Sequence, residues 1–309
     1  MLPLYSRCFE LFFSLIILAT SLDSAFGRNL AQRSVSMPAE PKLGEGVTSK
    51  ITREMLFQWK NSPAKNVWEE SGLFEGDILL KKPFSPDRNG ITNEMHYWPN
   101  GVIPYKIDGN YSEDEESQIK FVMEEYNNKT CIEFRPYQSE VDFISIRSDE
   151  PGCRSYVGRQ YNSQLLNLQP DKCFTYGTIA HELLHVIGFW HQQSATNRDD
   201  HVSIKWDNIY DDKKHNFMKY STSEIMDFNV LYDFNSIMHY GRQAFSKNNK
   251  DTIVPHVSHK QIHKNDKDTI VPHDPKAKIG QQHMLSEKDI LKINKMYKCD
   301  EKQKDQTKP

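Results

Sequence analysis

Residues 181–194 read HELLHVIGFWHQQS, with histidines at 181, 185 and 191, a glutamate at 182 and a glycine at 188. On a helix, residues four apart share a face one turn from each other. His181 and His185 can therefore present their imidazoles to one metal ion. Glu182 projects at a different angle, where its carboxylate reaches a water beside the metal without ligating the ion. Zinc lowers the pKa of such a water towards about 7 and polarises a carbonyl oxygen. The carboxylate can then carry the water's proton to a leaving amine. A catalytic zinc also needs a third protein ligand and an open position. Gly188 permits backbone angles that end the helix and turn the chain, so that His191 returns to the same ion. HExxH alone arises by chance in long sequences. The extended HExxHxxGxxH is more specific, since each added fixed position lowers the chance rate by roughly twenty. Leu183, Leu184, Val186, Ile187 and Phe189 fill the remaining positions and read as core packing.

The chain has 309 residues, enough for a substantial core and about two domains. Its net charge of −3 gives no basic field for nucleic acid and no acidic block. Residues 1–27 read as a signal peptide. Arg7 provides a weakly positive start, Leu11–Leu22 an apolar run too short to span a bilayer, and Ala25-Phe26-Gly27 a cleavage site. No later stretch approaches membrane-spanning length. Once Cys8 leaves with that segment, Cys131, Cys153, Cys173 and Cys299 remain, an even number suited to an oxidising compartment. Spacing alone leaves all three pairings open. Asn110-Tyr111-Ser112 and Asn128-Lys129-Thr130 are glycosylation sequons in a secreted chain.

The texture changes along the chain. Residues 28–88 are polar, apart from the island Gly72–Leu79 and the basic-tipped, turn-rich KKPFSPDRNG. WPNGVIPYKI predicts a turn entering a strand. Ser112 with Glu115 forms a capping box, and Ile119, Val122, Met123 and Tyr126 follow at helical spacing. CIEFRPY, VDFISI and SQLLNLQP have strand character. Thr178–Trp190 predicts a helix, as does Ser286–Tyr297 with its own capping box. The lysine-rich residues 300–309 read as a disordered tail. Asn248–His256 (NNKDTIVPH) is nearly repeated at Asn265–His273 (NDKDTIVPH). Two copies are too few for a solenoid, so they read as a duplication lengthening a surface loop, with His256, His259, His263 and His273 in solvent.

In these motifs the sequence resembles the astacin family of metzincin zinc endopeptidases over residues 89–299, with a propeptide at 28–88. Phe234–Gly241 (FNSIMHYG) resembles the family's Met-turn, and KTCIEFRPY, GCRSYVGR, CFTYGTIAHE and KMYKCD follow in the family's order. The resemblance implies an α/β zincin-like fold: a twisted, mostly parallel sheet with an antiparallel edge strand, expected around Leu165–Leu168, two long helices in the N-terminal half, and an irregular C-terminal half closed by a terminal helix. It implies zinc, one ion per chain, on His181, His185 and His191. Glu182 would be general base and acid, Met238 an apolar floor and His239 structural. Tyr240 would be the switch residue that stabilises the oxyanion. It implies disulfides Cys131–Cys299 and Cys153–Cys173. Phe74-Glu75-Gly76-Asp77 resembles the latency motif, with Asp77 on the zinc in the latent form only. Cleavage at Arg88-Asn89 by a trypsin-like protease would release the enzyme to act on protein or peptide substrates.

The chain also departs from the family pattern. Gln192 stands where the family has a glutamate linked through water to the new N-terminal amine, and Ala195 and Asn197 replace an arginine and an aspartate. This implies weaker coupling between propeptide removal and the site. Lys278 falls about where a pocket-lining residue is found and would favour an acidic residue after the scissile bond. A rival reading is a secreted inactive relative that keeps zinc as a structural element and acts by protein binding. Glu182 and FEGD argue against it, since neither serves a closed structural zinc. Another rival, an adhesion module with an accidental motif, leaves the ordered set of motifs unexplained.

Overall fold

The computed structural model describes residues 71–80, 93–223, 225–256 and 278–301. The expected signal segment, most of the expected propeptide, the Arg88-Asn89 bond, His259, His263, His273 and nearly all of the tail lie outside them. The sheet order is β2-β1-β3-β5-β4, formed by β1 (Val102–Ile107), β2 (Glu133–Pro136), β3 (Phe143–Arg147), β4 (Cys153–Ser155) and β5 (Ser163–Leu168). β1 pairs in parallel with β2 and β3, and β3 with β5. β4 pairs antiparallel with β5, with Cys153 opposite Leu168 and Ser155 opposite Leu166. The antiparallel edge strand is therefore Cys153–Ser155 and not Leu165–Leu168. The latter is inner and parallel to β3, because Leu166 and Leu168 are fully buried beneath the helices.

Helix α1 (Glu113–Lys129) starts at the expected Ser112–Glu115 capping box. Its first turn carries Glu113, Asp114, Glu115 and Glu116, and its last turn Lys129, matching the helix dipole at both ends. Ile119, Val122, Met123 and Tyr126 form its buried stripe. The Tyr126 hydroxyl donates to Ala180 O at 2.7 Å and so ties α1 to α2 (Tyr176–Ile187). α2 begins at Thr175, whose side chain accepts from Thr178 N, and every residue in it is buried. It ends before the expected Trp190, because Gly188 takes φ 132° and turns the chain.

A helix leaves its last carbonyls without intrahelical partners. In α2 all four find donors. Leu184 O accepts from Gly188 N and Phe189 N, and His185 O from Gly158 N. Val186 O accepts from the Trp98 indole at 2.8 Å, and Ile187 O from the Tyr297 phenol at 2.7 Å. Since an orphaned buried carbonyl costs about 1–3 kcal/mol, these partners make the early stop tolerable.

Among the described residues, the C-terminal half is short 3-10 turns and loops with one two-stranded ribbon, β6 (Val202–Ile204) and β7 (Ile253–Pro255), ahead of a last helix. β7 belongs to the first copy of the repeat. That copy is therefore not solvated loop: Thr252 is fully buried, its hydroxyl bonded to Arg242 O and Ala244 O, and His256 meets Ser203 Oγ at 2.8 Å. Helix α3 (Glu287–Met296) closes the chain behind its Ser286–Asp289 capping box. Disulfides join Cys131 to Cys299 and Cys153 to Cys173. Asn110 is exposed ahead of α1, and Asn128 is exposed in its last turn. Among the described residues no helix is long and apolar enough to cross a membrane.

Cys131–Cys299 spans 168 residues, so replacing both cysteines with alanine should cost about 5 kcal/mol in the chain-entropy model. Urea denaturation of the oxidised wild type against the double variant measures this loss.

Candidate metal centre

Three segments build the site. α2 carries His181 and His185 one turn apart, the chain after Gly188 brings His191 back, and Phe74–Asp77 enters from the segment ahead of the first strand. Each imidazole is held by its Nδ1. His181 Nδ1 donates to Ile237 O at 2.9 Å, His185 Nδ1 to Phe189 O at 2.7 Å, and His191 Nδ1 to the Glu75 carboxylate at 2.8 Å. These partners only accept, so each ring has a proton on Nδ1 and turns its Nε2, the atom left to meet a metal, inward.

The Nε2 atoms of His181 and His191 are 3.1 Å apart. Asp77 Oδ2 lies 3.1 Å from His181 Nε2 and 3.5 Å from His191 Nε2, and Oδ1 lies 3.5 Å from His185 Nε2. All four ligand atoms lie within 4.8 Å of one another, and all four residues are buried. A tetrahedron with zinc–ligand bonds of about 2.0–2.1 Å has edges of about 3.3 Å, so the set fits zinc. Asp77 Oδ1 and His185 Nε2 are buried without a hydrogen-bond partner, as expected of atoms that serve an ion.

The buried carboxylates and imidazoles shift one another strongly. Burial opposes ionisation of Asp77, yet His191 and His185 beside it hold the carboxyl well below its usual range. Burial lowers His185 to about 4. His191 is opposed by burial too, but the Asp77 and Glu75 carboxylates push it up to about 9. Glu182 is fully buried next to this group, and neither of its oxygens has a hydrogen-bond partner. Burial, then the Asp77 charge, raises its pKa well above the usual range.

The Asp77 loop is short and specific. Leu73 and Gly76 exchange backbone hydrogen bonds at 3.2 and 3.0 Å, with φ 47° at Glu75 and 95° at Gly76. The segment then runs parallel along the outer edge of β4. Ser155 N donates to Asp77 O at 3.1 Å, and Leu79 N to Ser155 O at 2.8 Å. Phe74 packs against Trp190 and His215.

Sequence reasoning found Asp77 and missed Glu75. Beyond His191, the Glu75 carboxylate accepts from Ser194 and Tyr220 at 2.8 and 2.9 Å. Its backbone carbonyl accepts from the Tyr240 hydroxyl at 2.5 Å. The available signal was an acidic residue two before Asp77 in the same turn. Asp289 was also missed as a site support. Its carboxylate accepts from Ser236 Oγ at 2.6 Å and from Ile237 N at 3.0 Å, and Ile237 O holds His181.

Met238 is buried, and its carbonyl accepts from Gln192 N at 2.9 Å. His239 is buried between Tyr240 O and the Tyr232 hydroxyl, both at 2.8 Å, and burial lowers it to about 4, so it stays neutral. Lys278 is exposed. Two residues on, Gly280 sits against Gly241, where an added Cβ would come within 2.4 Å of the Gly241 Cα.

This fold and donor set define a metal-dependent hydrolase of the HExxHxxGxxH type. The model of the astacin peptidase family matches residues 90–265, and the chain belongs to that family. It is thus a zinc metalloendopeptidase with one zinc ion per chain, acting on peptide bonds of proteins or peptides. It is 36% identical over 292 residues to the low choriolytic enzyme of Oryzias latipes, covering 92% of this chain and 97% of that one. It is 38% identical over 231 residues to zinc metalloproteinase nas-14 of Caenorhabditis elegans, covering 74% of this chain and 42% of that one. It is also 38% identical over 228 residues to human meprin A subunit beta, covering 74% of this chain and 30% of that one. The solved structure of high choriolytic enzyme 1, a hatching enzyme zinc-protease from the same fish, superposes with a TM-score of 0.58 at 38% identity, covering 67% of this chain and 96% of that one.

Asp289→Ala strips acceptors from Ser236 and Ile237 and should cost about 2–4 kcal/mol. Because Ile237 O orients His181, zinc should also be lost to a competing chelator at a lower concentration. A zinc-release titration beside a urea melt measures both.

Proposed function

We propose that the chain is a secreted endopeptidase made as a latent zymogen, freed when a trypsin-like protease cuts near Arg88. The observation that carries this reading is Asp77: a propeptide carboxylate lies among three converging imidazoles, within 3.5 Å of each. Secretion is supported by the signal-like residues 1–27 and by two disulfides. Asn110 and Asn128, both exposed, are the proposed glycan sites.

His181, His185 and His191 would hold the zinc, which when bound polarises the scissile carbonyl and acidifies a neighbouring water. The chain's own residues do the rest. With the 77–79 segment gone, the N–H and C=O of Ser155 on the edge of β4 become available to an extended substrate. Glu182 takes the proton of the attacking water and returns it to the leaving amine. Departure of Asp77 removes one of the two causes that raise the Glu182 pKa, so the same step that opens the site favours the base. Tyr240, released from the Glu75 carbonyl, turns its hydroxyl to the oxyanion. Met238 forms the apolar floor. Lys278 draws an acidic side chain after the scissile bond.

Protein cut at Arg88 should digest a denatured protein substrate, and a chelator should abolish this. Glu182→Ala should lower kcat by about 10²- to 10⁴-fold. Tyr240→Phe should lower it by about 10²- to 10³-fold. Asp77→Ala should give the uncut chain activity that wild type lacks. Trimmed protein that binds zinc yet hydrolyses nothing would instead favour the inactive, partner-binding relative. A peptide-library profile reads the Lys278 assignment: Lys278→Ala should erase enrichment of Asp and Glu after the cut, and a wild-type profile without that enrichment removes the role.

A further inference from the structure

Gln192 directly follows the third imidazole. Its backbone N–H donates to Met238 O at 2.9 Å, and its side-chain carbonyl accepts from Lys292 Nζ at 2.5 Å. Both side chains are nearly buried, at 7% and 8% exposure. Lys292 lies on α3, one turn beyond Asp289, so one helix face reaches two parts of the site. Asp289 grips the 236–237 turn that orients His181, and Lys292 grips the segment that carries His191.

The charges around Lys292 make this grip self-contained. Burial pulls the Lys292 pKa below its ordinary value, against the nearby Asp289, Asp233 and Asp227 charges, which raise it, while Lys288 is the like charge. A cavity beside it is lined by His191, Gln192, Asn197, Met238, Asp289 and Lys292. The Gln192 amide already has a cation beside it, supplied from within the same fold.

We propose that Lys292 is a positioning residue, which by holding Gln192 fixes the segment of the third imidazole without any amine created by propeptide cleavage. The inference rests on the proteolytic reading above and deepens it. The chain would need its propeptide removed to uncover the zinc, and would not need its new N-terminus to build the site.

The test compares two trimmed enzymes, one starting at Asn89 and one with an extra glycine before it. Each is made as wild type, Lys292→Met and Lys292→Arg. For wild type, kcat and KM of the two forms should agree within about twofold. Lys292→Met should lower kcat by about ten- to a hundredfold in both forms with KM little changed, and should release zinc to a chelator more readily. Lys292→Arg, which keeps the donor, should recover most of both. If Lys292→Met does not fold, Gln192→Met removes the same bond from the other side and should give the same pattern. The inference is overturned if the added glycine alone lowers wild-type kcat by about tenfold or more. It is equally overturned if Lys292→Met reduces only the melting temperature, leaving kcat and zinc retention intact. Trimmed wild type that hydrolyses nothing would sink the proteolytic reading, while zinc retention in the variants would still decide the part played by Lys292.

Discussion

The site depends on a helix that stops early. If α2 continued past Ile187, His191 would be carried along the helix away from the other two imidazoles. Stopping exposes four carbonyls in a fully buried place, and the fold answers with donors for each of them. Two of those donors are large aromatics from far ends of the catalytic region, Trp98 near its start and Tyr297 near its close. Gly188 makes the turn sterically possible. The indole and the phenol make it thermodynamically acceptable.

The same logic joins the C-terminus to the metal. Tyr297 caps α2, Asp289 steadies the turn that orients His181, and Lys292 holds the segment after His191. Cys299, two residues beyond Tyr297, fastens this helix to Cys131 at the end of α1. A short amphipathic helix with little core of its own thus supports three separate parts of the centre. Its sequence shows only the apolar stripe and the cap. The polar residues between them carry the positional information.

What could be read from the residues follows the range of each interaction. Capping boxes at Ser112 and Ser286, the i and i+4 imidazoles and the glycine break are local, and each was legible. The strands β1, β2, β3 and β5 announced themselves by composition. β4 did not: three residues, all buried, show no alternation. Its absence from the sequence reading shifted the expected edge strand onto Leu165–Leu168. The contacts of Glu75 with His191 and of Lys292 with Gln192 cross 116 and 100 residues of chain. No local pattern encodes such pairings. The first repeat copy misled for the opposite reason, since its polar, proline-broken composition hid a strand sealed against β6.

The Cys153–Cys173 link acts as a covalent ruler. Cys153 opens the edge strand along which the 77–79 segment lies, and Cys173 stands two residues before the cap of α2. The bond thereby limits the gap between that edge strand and the helix carrying two of the imidazoles. In reducing surroundings the three rings would still converge, but the edge strand could drift from them. Reduction would remove that covalent limit and leave the spacing to the β4–β5 pairing alone.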